Sequence, residues 1–308
     1  MDFTRLSCLT ILWGLAMLPG WAGDGPKLIV LGIAQDAGYP QAACRKKCCL
    51  PTYEHPQKRR LVSCLGLVDG TDRWIFDATP SLPQQLYRLP APAPGKPVLS
   101  GVFLTHAHIG HYTGLMHLGR EVMGADKVPV YAMPRMFDFL KNNGPWSQLV
   151  GLNNIVLQPL QNDTTVRINK RITVTPFLVP HRDEFSETVG YRITGPNKTA
   201  IFIPDIDKWE KWSTPIESVL MEADYSFLDG TFFYQDENPS RDMSEIPHPF
   251  IEESMARFKD KIPAAKKKGI HFIHFNHTHP ILNPDGKARK VVEDAGFSVA
   301  YEGETIEL

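Results

Sequence analysis

Leu104-Thr105-His106-Ala107-His108-Ile109-Gly110-His111 is the stretch on which the reading of this chain turns. An apolar run from Val102 leads into it and a helically spaced segment follows, so three imidazoles emerge where a strand ends and a helix starts. His106 and His108 stand two residues apart, and alternate residues of an extended chain point to the same side. Both rings can therefore reach one ion at about 2.0–2.1 Å, with His111 turning in from the next turn. Such a site leaves coordination positions open to water and substrate, which is what catalytic ions require.

Outward from this point, β-rich runs alternate with helical patterns. Strands are predicted over Leu28–Ile33, Leu61–Val68, Trp74–Asp77, Val102–Thr105 and Val128–Ala132, and then over Ile155–Leu160, Ile172–Leu178, Val189–Ile193 and Ala200–Ile203. Helical spacing covers Leu82–Leu89, Tyr112–Met123, Arg135–Asn142, Phe250–Lys259 and Gly286–Ala295. An apolar run, Ile270–Phe275, follows late in the chain, and Phe297–Leu308 closes it as a strand or hairpin. Strand-rich halves with helices between them predict two packed sheets covered by helices rather than a doubly wound parallel sheet. No repeat or linker interrupts residues 24–308, which are expected to form one domain.

The 308 residues carry a formal charge of -1 and are 43% hydrophobic. The balance supplies a large core and gives no broad attraction for nucleic acid, so a small-molecule substrate is expected. Residues 1–23 have the layout of a secretory signal peptide: Arg5, the apolar run Cys8–Leu18, then the turn-prone Pro19–Gly23. The apolar run falls short of the about 20 residues of a membrane span, so cleavage near Ala22 or Gly23 is preferred to an uncleaved anchor. The mature protein is thus expected to be secreted or periplasmic, without a stable membrane span.

The histidine stretch resembles the His-x-His-x-Asp-His signature of the metallo-β-lactamase superfamily. Val179-Pro180-His181, Phe202-Ile203-Pro204-Asp205 and Phe272-Ile273-His274 resemble that family's later ligand segments. The resemblance implies a four-layer αββα sandwich, α/β in the α+β sense, with a first ion on His106, His108 and His181. It implies a second ion on His111, Asp205 and His274. Zinc is the expected metal, with manganese or iron as alternatives, and its chemistry would be activation of water for attack on an ester. One departure matters: the signature's aspartate is Gly110 here. The second site is then weak, empty, or completed by an acid such as Asp207 or Asp183.

Cys44, Cys48 and Cys49 place three thiols within six positions, a density suited to a structural zinc completed by a distant His or Cys. Disulfides are the rival account for an exported protein, although adjacent Cys48 and Cys49 would strain a mutual bridge. Cys64, within an apolar run, reads as a buried thiol. A branch of the superfamily, the cyclic phosphodiesterases of phosphonate breakdown, resembles the cysteine arrangement and implies His277 as fourth ligand.

The second half resembles the pyrroloquinoline quinone biosynthesis protein B family, through Asp229-Gly230-Thr231-Phe232, Pro247-His248-Pro249 and His274-Phe275-Asn276-His277-Thr278-His279-Pro280. That resemblance adds Asp229 and His248 as candidate site residues; the catalytic candidates are Asp205 and His248. The expected function is a metal-dependent hydrolase with a phosphodiester favoured. An oxidative, quinone-cofactor-related role and a non-catalytic zinc-binding protein are the alternatives.

Overall fold

The computed structural model describes residues 25–237, 242–283 and 286–308, so the expected leader lies outside the described residues. The first sheet is built from β1 (Lys27–Gly32), β2 (Cys64–Asp69), β3 (Asp72–Phe76), β4 (Gly101–Phe103), β5 (Val128–Ala132) and β6 (Ile155–Pro159). The second contains β7 (Val166–Arg167), β8 (Thr173–Leu178), β9 (Val189–Thr194), β10 (Thr199–Ile203), β11 (Tyr225–Asp229), β12 (Ile270–Ile273) and β13 (Ser298–Val299). A last strand, β14 (Thr305–Glu307), returns to pair antiparallel with β1, so each sheet has seven strands. Both sheets are mixed: β3 to β6 run parallel, as do β10 to β13, while their remaining neighbours are antiparallel.

Burial explains the layering. Helices Leu82–Arg88, Pro134–Asn142 and Trp146–Gly151 place Leu82, Met136, Leu140 and Trp146 in one apolar cluster with Ile75, Val102 and Val130 of the first sheet. Helices Ile216–Met221, Ile251–Phe258 and Ala288–Asp294 bury Ile216, Ile251, Phe258 and Val292 in the larger core that includes the second sheet. The result is the expected αββα sandwich. Between the sheets, Phe76 of β3 stacks on Phe103 of β4 at 5.1 Å, and Tyr191 of β9 meets both edge-on at 5.4 and 5.6 Å. These large buried rings supply area and directional packing that fix one sheet against the other.

At one end the sheets are also joined through the main chain. Val189 N–H donates to Thr105 O at 3.1 Å; Phe275 N–H donates to Ile33 O at 2.8 Å, and Gln35 N–H to Phe275 O at 2.9 Å. The Tyr191 hydroxyl donates to Leu104 O in the same region. The segments that leave β1, β4 and β12 are therefore held together where the histidines emerge. Among the described residues, no helix is long and apolar enough to cross a membrane.

Two expectations need correction. Tyr112–Met123 is not an α-helix: a single helical turn, Ile109–Tyr112, passes into a 3-10 segment, Thr113–Leu118. The cause is the close approach at Gly114, whose N–H donates to Ala78 O at 2.9 Å and where an added Cβ would lie 2.0 Å from Thr79 O. Nor is Phe297–Leu308 a hairpin, because β13 belongs to the second sheet and β14 to the first, so this terminus ties the two together. Gly114→Ala must push the segment carrying His111 away from the Ala78–Thr79 turn. It should destabilise the fold by about 1–3 kcal/mol, as overpacking does, with the loss read from urea unfolding followed by circular dichroism.

Candidate metal centre

The polar site is assembled at the carboxyl ends of strands, where side chains leave the sheet and main-chain direction changes. Asp77 follows β3, His106 and His108 follow β4, His181 follows β8, Asp205 follows β10, Asp229 ends β11 and His274 follows β12. Asp77 and His274 have φ of 72° and 70°, left-handed values that swing each side chain out of its strand direction.

His106, His108, His181 and Asp205 each offer one atom to a common point. His106 Nε2 lies 2.8 Å from His108 Nδ1, which is 3.3 Å from His181 Nε2. Asp205 Oδ2 lies 3.4 Å from His106 Nε2, 3.2 Å from His181 Nε2 and 3.8 Å from His108 Nδ1. Four ligands placed tetrahedrally at ~2.0–2.1 Å from an ion stand about 3.3–3.4 Å apart, so these separations fit one divalent cation.

Each ring's other nitrogen has its own partner. Thr105 Oγ1 lies 3.0 Å from His106 Nδ1, Glu184 Oε2 3.1 Å from His108 Nε2, and Asp207 Oδ1 3.1 Å from His181 Nδ1. Such outer partners fix the ring orientation and the tautomer that presents a lone pair to the ion. Burial, followed by the neighbouring His111, holds the His106 pKa well below its ordinary value and keeps that ring neutral. Burial alone would raise Asp205, but His181 and His248 beside it outweigh burial and hold its carboxyl well below the usual range.

A second cluster consists of Asp36, His111 and His274. His111 is fully buried and its Nδ1 lies 2.7 Å from Asp77 Oδ2; His274 is also fully buried, with Thr231 Oγ1 3.0 Å from its Nδ1. Both Nε2 atoms and Asp36 Oδ1 are buried without a hydrogen-bond partner. Orphaned buried polar atoms are costly, and three converging on the same region fit a bound cation. Asp205 Oδ2 is 3.9 Å from His111 Nε2, so this carboxylate stands between the two clusters.

The acids expected to replace the side chain missing at Gly110 do not. Asp207 faces the far side of His181 and is held by Lys211 Nζ at 2.8 Å, while Asp183 accepts from the Thr188 hydroxyl at 2.9 Å. Asp36, from the turn after β1, stands near His111 instead, 3.7 Å from its Nε2. Nothing in Gln35-Asp36-Ala37-Gly38 marks it as a ligand except an acid beside a turn glycine at a strand end. Asp77 was equally hidden, because it reads as an ordinary strand terminus. It is fully buried and accepts from Thr105 N–H at 2.8 Å and from the Thr105 hydroxyl at 2.9 Å as well as engaging His111.

His248 Nδ1 lies 2.8 Å from Asp229 Oδ2 and 3.2 Å from Asp205 Oδ1. Asp229 is itself fixed by the N–H groups of Ile206 and Thr231 at 3.1 and 2.8 Å. With Nδ1 so engaged, Nε2 remains for the cleft of about 590 Å³ that His248 lines with Asp36, Arg182, Asp207, Lys211 and Asn276.

Beside the cleft, Cys44 Sγ and Cys48 Sγ are 3.8 Å apart, and Cys48 Sγ and Cys49 Sγ 3.9 Å. Cys49 and the fully buried Cys64 are, like Cys44 and Cys48, free thiols. The three sulfurs and a His277 nitrogen fall within 4.8 Å of one another. Sulfurs held tetrahedrally at ~2.3 Å from zinc would be about 3.8 Å apart. His277 Nδ1 is engaged by Asn276 Oδ1 at 2.8 Å, which leaves Nε2 for the sulfur cluster.

Comparison with known proteins bears on the fold that carries these residues. A family model described as a beta-lactamase superfamily domain matches residues 72–272. The chain belongs to the metallo-β-lactamase superfamily. It is 26% identical over 309 residues to coenzyme PQQ synthesis protein B of Xanthomonas axonopodis pv. citri, covering 92% of this chain and 100% of the relative. Zn(2+)-bound PqqB from Methylobacterium extorquens superposes with a TM-score of 0.78 at 24% identity, over 92% of this chain and 100% of that one. A diphosphatase of the PhnP family superposes at 0.63 and 20% identity, over 92% and 97%.

Asp77→Asn tests the outer partners of this metallo-β-lactamase site. The amide oxygen can still accept from Thr105, but its NH2 would face His111 Nδ1. Metal affinity, measured by chelator competition, should fall about 10–100-fold, with the far-ultraviolet circular dichroism unchanged.

Proposed function

We propose that this protein is a metal-dependent hydrolase acting on an anionic ester, with a phosphodiester as the favoured substrate. The observation that carries the reading is the set of His106, His108, His181 and Asp205 donor atoms gathered within 4.8 Å of one another, beside a cleft with Arg182 and Lys211 in its wall. A divalent ion, zinc by donor type, would supply Lewis acidity toward water and toward the ester oxygen.

The remaining work falls to the chain. Asp205 sets its carboxylate between the two imidazole clusters, so its charge orients whatever binds there. Arg182 offers the cleft wall a guanidinium that can pair with a phosphate oxygen, while Lys211 is already held by Asp207. Asp229 holds His248 through Nδ1, and this orientation aims Nε2 at the cleft, where it can hand a proton to a departing alkoxide. Cys44, Cys48, Cys49 and His277 would hold a separate structural zinc. Export is proposed with this function on the strength of Arg5 and the apolar run that follows it.

The near full-length match to coenzyme PQQ synthesis protein B supports a second reading, an oxidative role related to quinone cofactors. Hydrolysis of bis(4-nitrophenyl) phosphate by the zinc-loaded protein separates the two. Activity is expected in the wild type and is expected to vanish with loss of metal in His106→Ala. His248→Gln should lower kcat about 10²–10⁴-fold while metal content stays the same. Full metal occupancy without hydrolysis of any ester would reject the hydrolase and favour the second reading.

A further inference from the structure

We infer that Asp36 supplies the carboxylate of the second metal site, moved from the histidine motif to the loop after the first strand. The inference rests on the metal centre proposed above but concerns a donor that the motif itself lacks.

The argument begins with volume. A Cβ added at Gly110 would lie 2.4 Å from Asp36 Oδ1 and 2.5 Å from Asp36 Cα. A side chain at position 110 and the present course of the Asp36 backbone are therefore mutually exclusive. The space that a motif aspartate would fill is taken by the aspartate of another segment, and glycine at 110 is what admits it. The second step concerns polarity. Asp36 Oδ1 is buried and has no hydrogen-bond partner, and the same holds for Nε2 of His111 and of His274. Each of the two rings is fully buried, with its Nδ1 turned to Asp77 or Thr231; His111 Nε2 lies 3.7 Å from Asp36 Oδ1, and His274 offers a nitrogen within 4.8 Å of the same group of donor atoms. Three buried donor atoms facing one space without hydrogen-bond partners form the donor set that a cation would fill.

The third step concerns how the donor is held. Asp36 sits in a turn closed by Gly38 N–H donating to Gln35 O at 2.8 Å, and Gln35 N–H is itself bonded to Phe275 O at 2.9 Å, next to His274. The loop that carries the carboxylate is thus pinned to the segment that carries one of its partner ligands. A carboxylate beside two imidazoles, with Asp205 shared from the first site, restores the hard anionic donor that the substitution at 110 removes.

The test is a transplant. Zinc retained after dialysis at a fixed free-metal concentration is measured by mass spectrometry for the wild type, Asp36→Asn, Gly110→Asp and the double variant Asp36→Gly/Gly110→Asp. Cobalt absorption gives a second readout that distinguishes sulfur from imidazole sites. The wild type is expected to hold two cleft ions beyond the cysteine site. Asp36→Asn should keep the first ion and weaken the second by at least about tenfold, since losing a direct ligand costs no less than losing an outer partner. Gly110→Asp alone should also lose the second ion, because the two side chains compete for one space. In the double variant glycine at 36 frees the loop backbone to yield at the 2.5 Å contact with its Cα, and regained binding there supports the inference. An Asp36→Asn protein that binds the second ion as tightly as the wild type overturns the inference, as does a wild type with a single cleft ion. Loss of the second ion alone leaves the proposed hydrolase site standing; a wild type with no cleft ion at all would remove both.

Discussion

Two imidazole nitrogens 2.8 Å apart, those of His106 and His108, are the constraint on which the rest of this structure depends. At that distance one ring can donate its N–H to the other, while the Asp205 carboxylate and His181 Nε2 close on the same point and each ring's remaining nitrogen has a partner of its own. One shared proton leaves the other donor atoms facing inward, an arrangement that the proposed metal ion would complete. The arrangement around it follows from keeping those atoms facing inward: Thr105, Glu184 and Asp207 turn the three rings, and the strand ends set where the rings begin. Free energy for this is drawn from the layers behind, where Phe76, Phe103 and Tyr191 lock one sheet on the other.

The strained backbone at Asp77 and His274 belongs to the same requirement. A side chain leaving a strand in its normal direction points to one face of the sheet, whereas these must point off its end. A left-handed residue at the last position achieves that at a cost of about 1–3 kcal/mol for a non-glycine. The cost is tolerated because Asp77 then takes three hydrogen-bonding partners in a fully buried position, and His274 gains the Thr231 hydroxyl. The glycine at 114 works toward the same end by letting the short helix of His111 lie directly on the turn after Asp77.

How much of this the sequence disclosed depends on distance along the chain. The histidine motif is legible because its ligands are two and three residues apart and follow an apolar strand, so local geometry alone brings them together. His181, Asp205 and His274 were reached through family resemblance, and the structure gathers them at the ends of three separate strands. The layered fold was readable from the alternation of short strands with helices. Asp36 was not, because its proximity to His111 arises from the pairing of Ala34 with both Val62 and Phe275, a contact across the sandwich that no periodicity announces. The partners of the terminal strands are hidden in the sequence for a related reason. Two short runs separated by a turn look like a hairpin until the sheets that compete for them are known.

The same long-range geometry couples the cleft to the cysteine cluster. Asp36 and the three clustered cysteines lie on one loop between β1 and β2, and His274 and His277 lie on one segment after β12. Each stretch therefore touches both clusters, at opposite ends. Tyr39 strengthens the link by donating its hydroxyl to Cys48 O at 2.5 Å, while Gln41 N–H reaches Cys49 Sγ at 3.4 Å. A loop this long would ordinarily sample many positions, and fixing its near end would carry the entropy of ordering every residue in it. Tying its far end to His277 shortens the free span to a few residues on either side of the Gln35–Gly38 turn. The cysteine cluster can then act as the anchor that holds the Asp36 carboxylate in place beside His111.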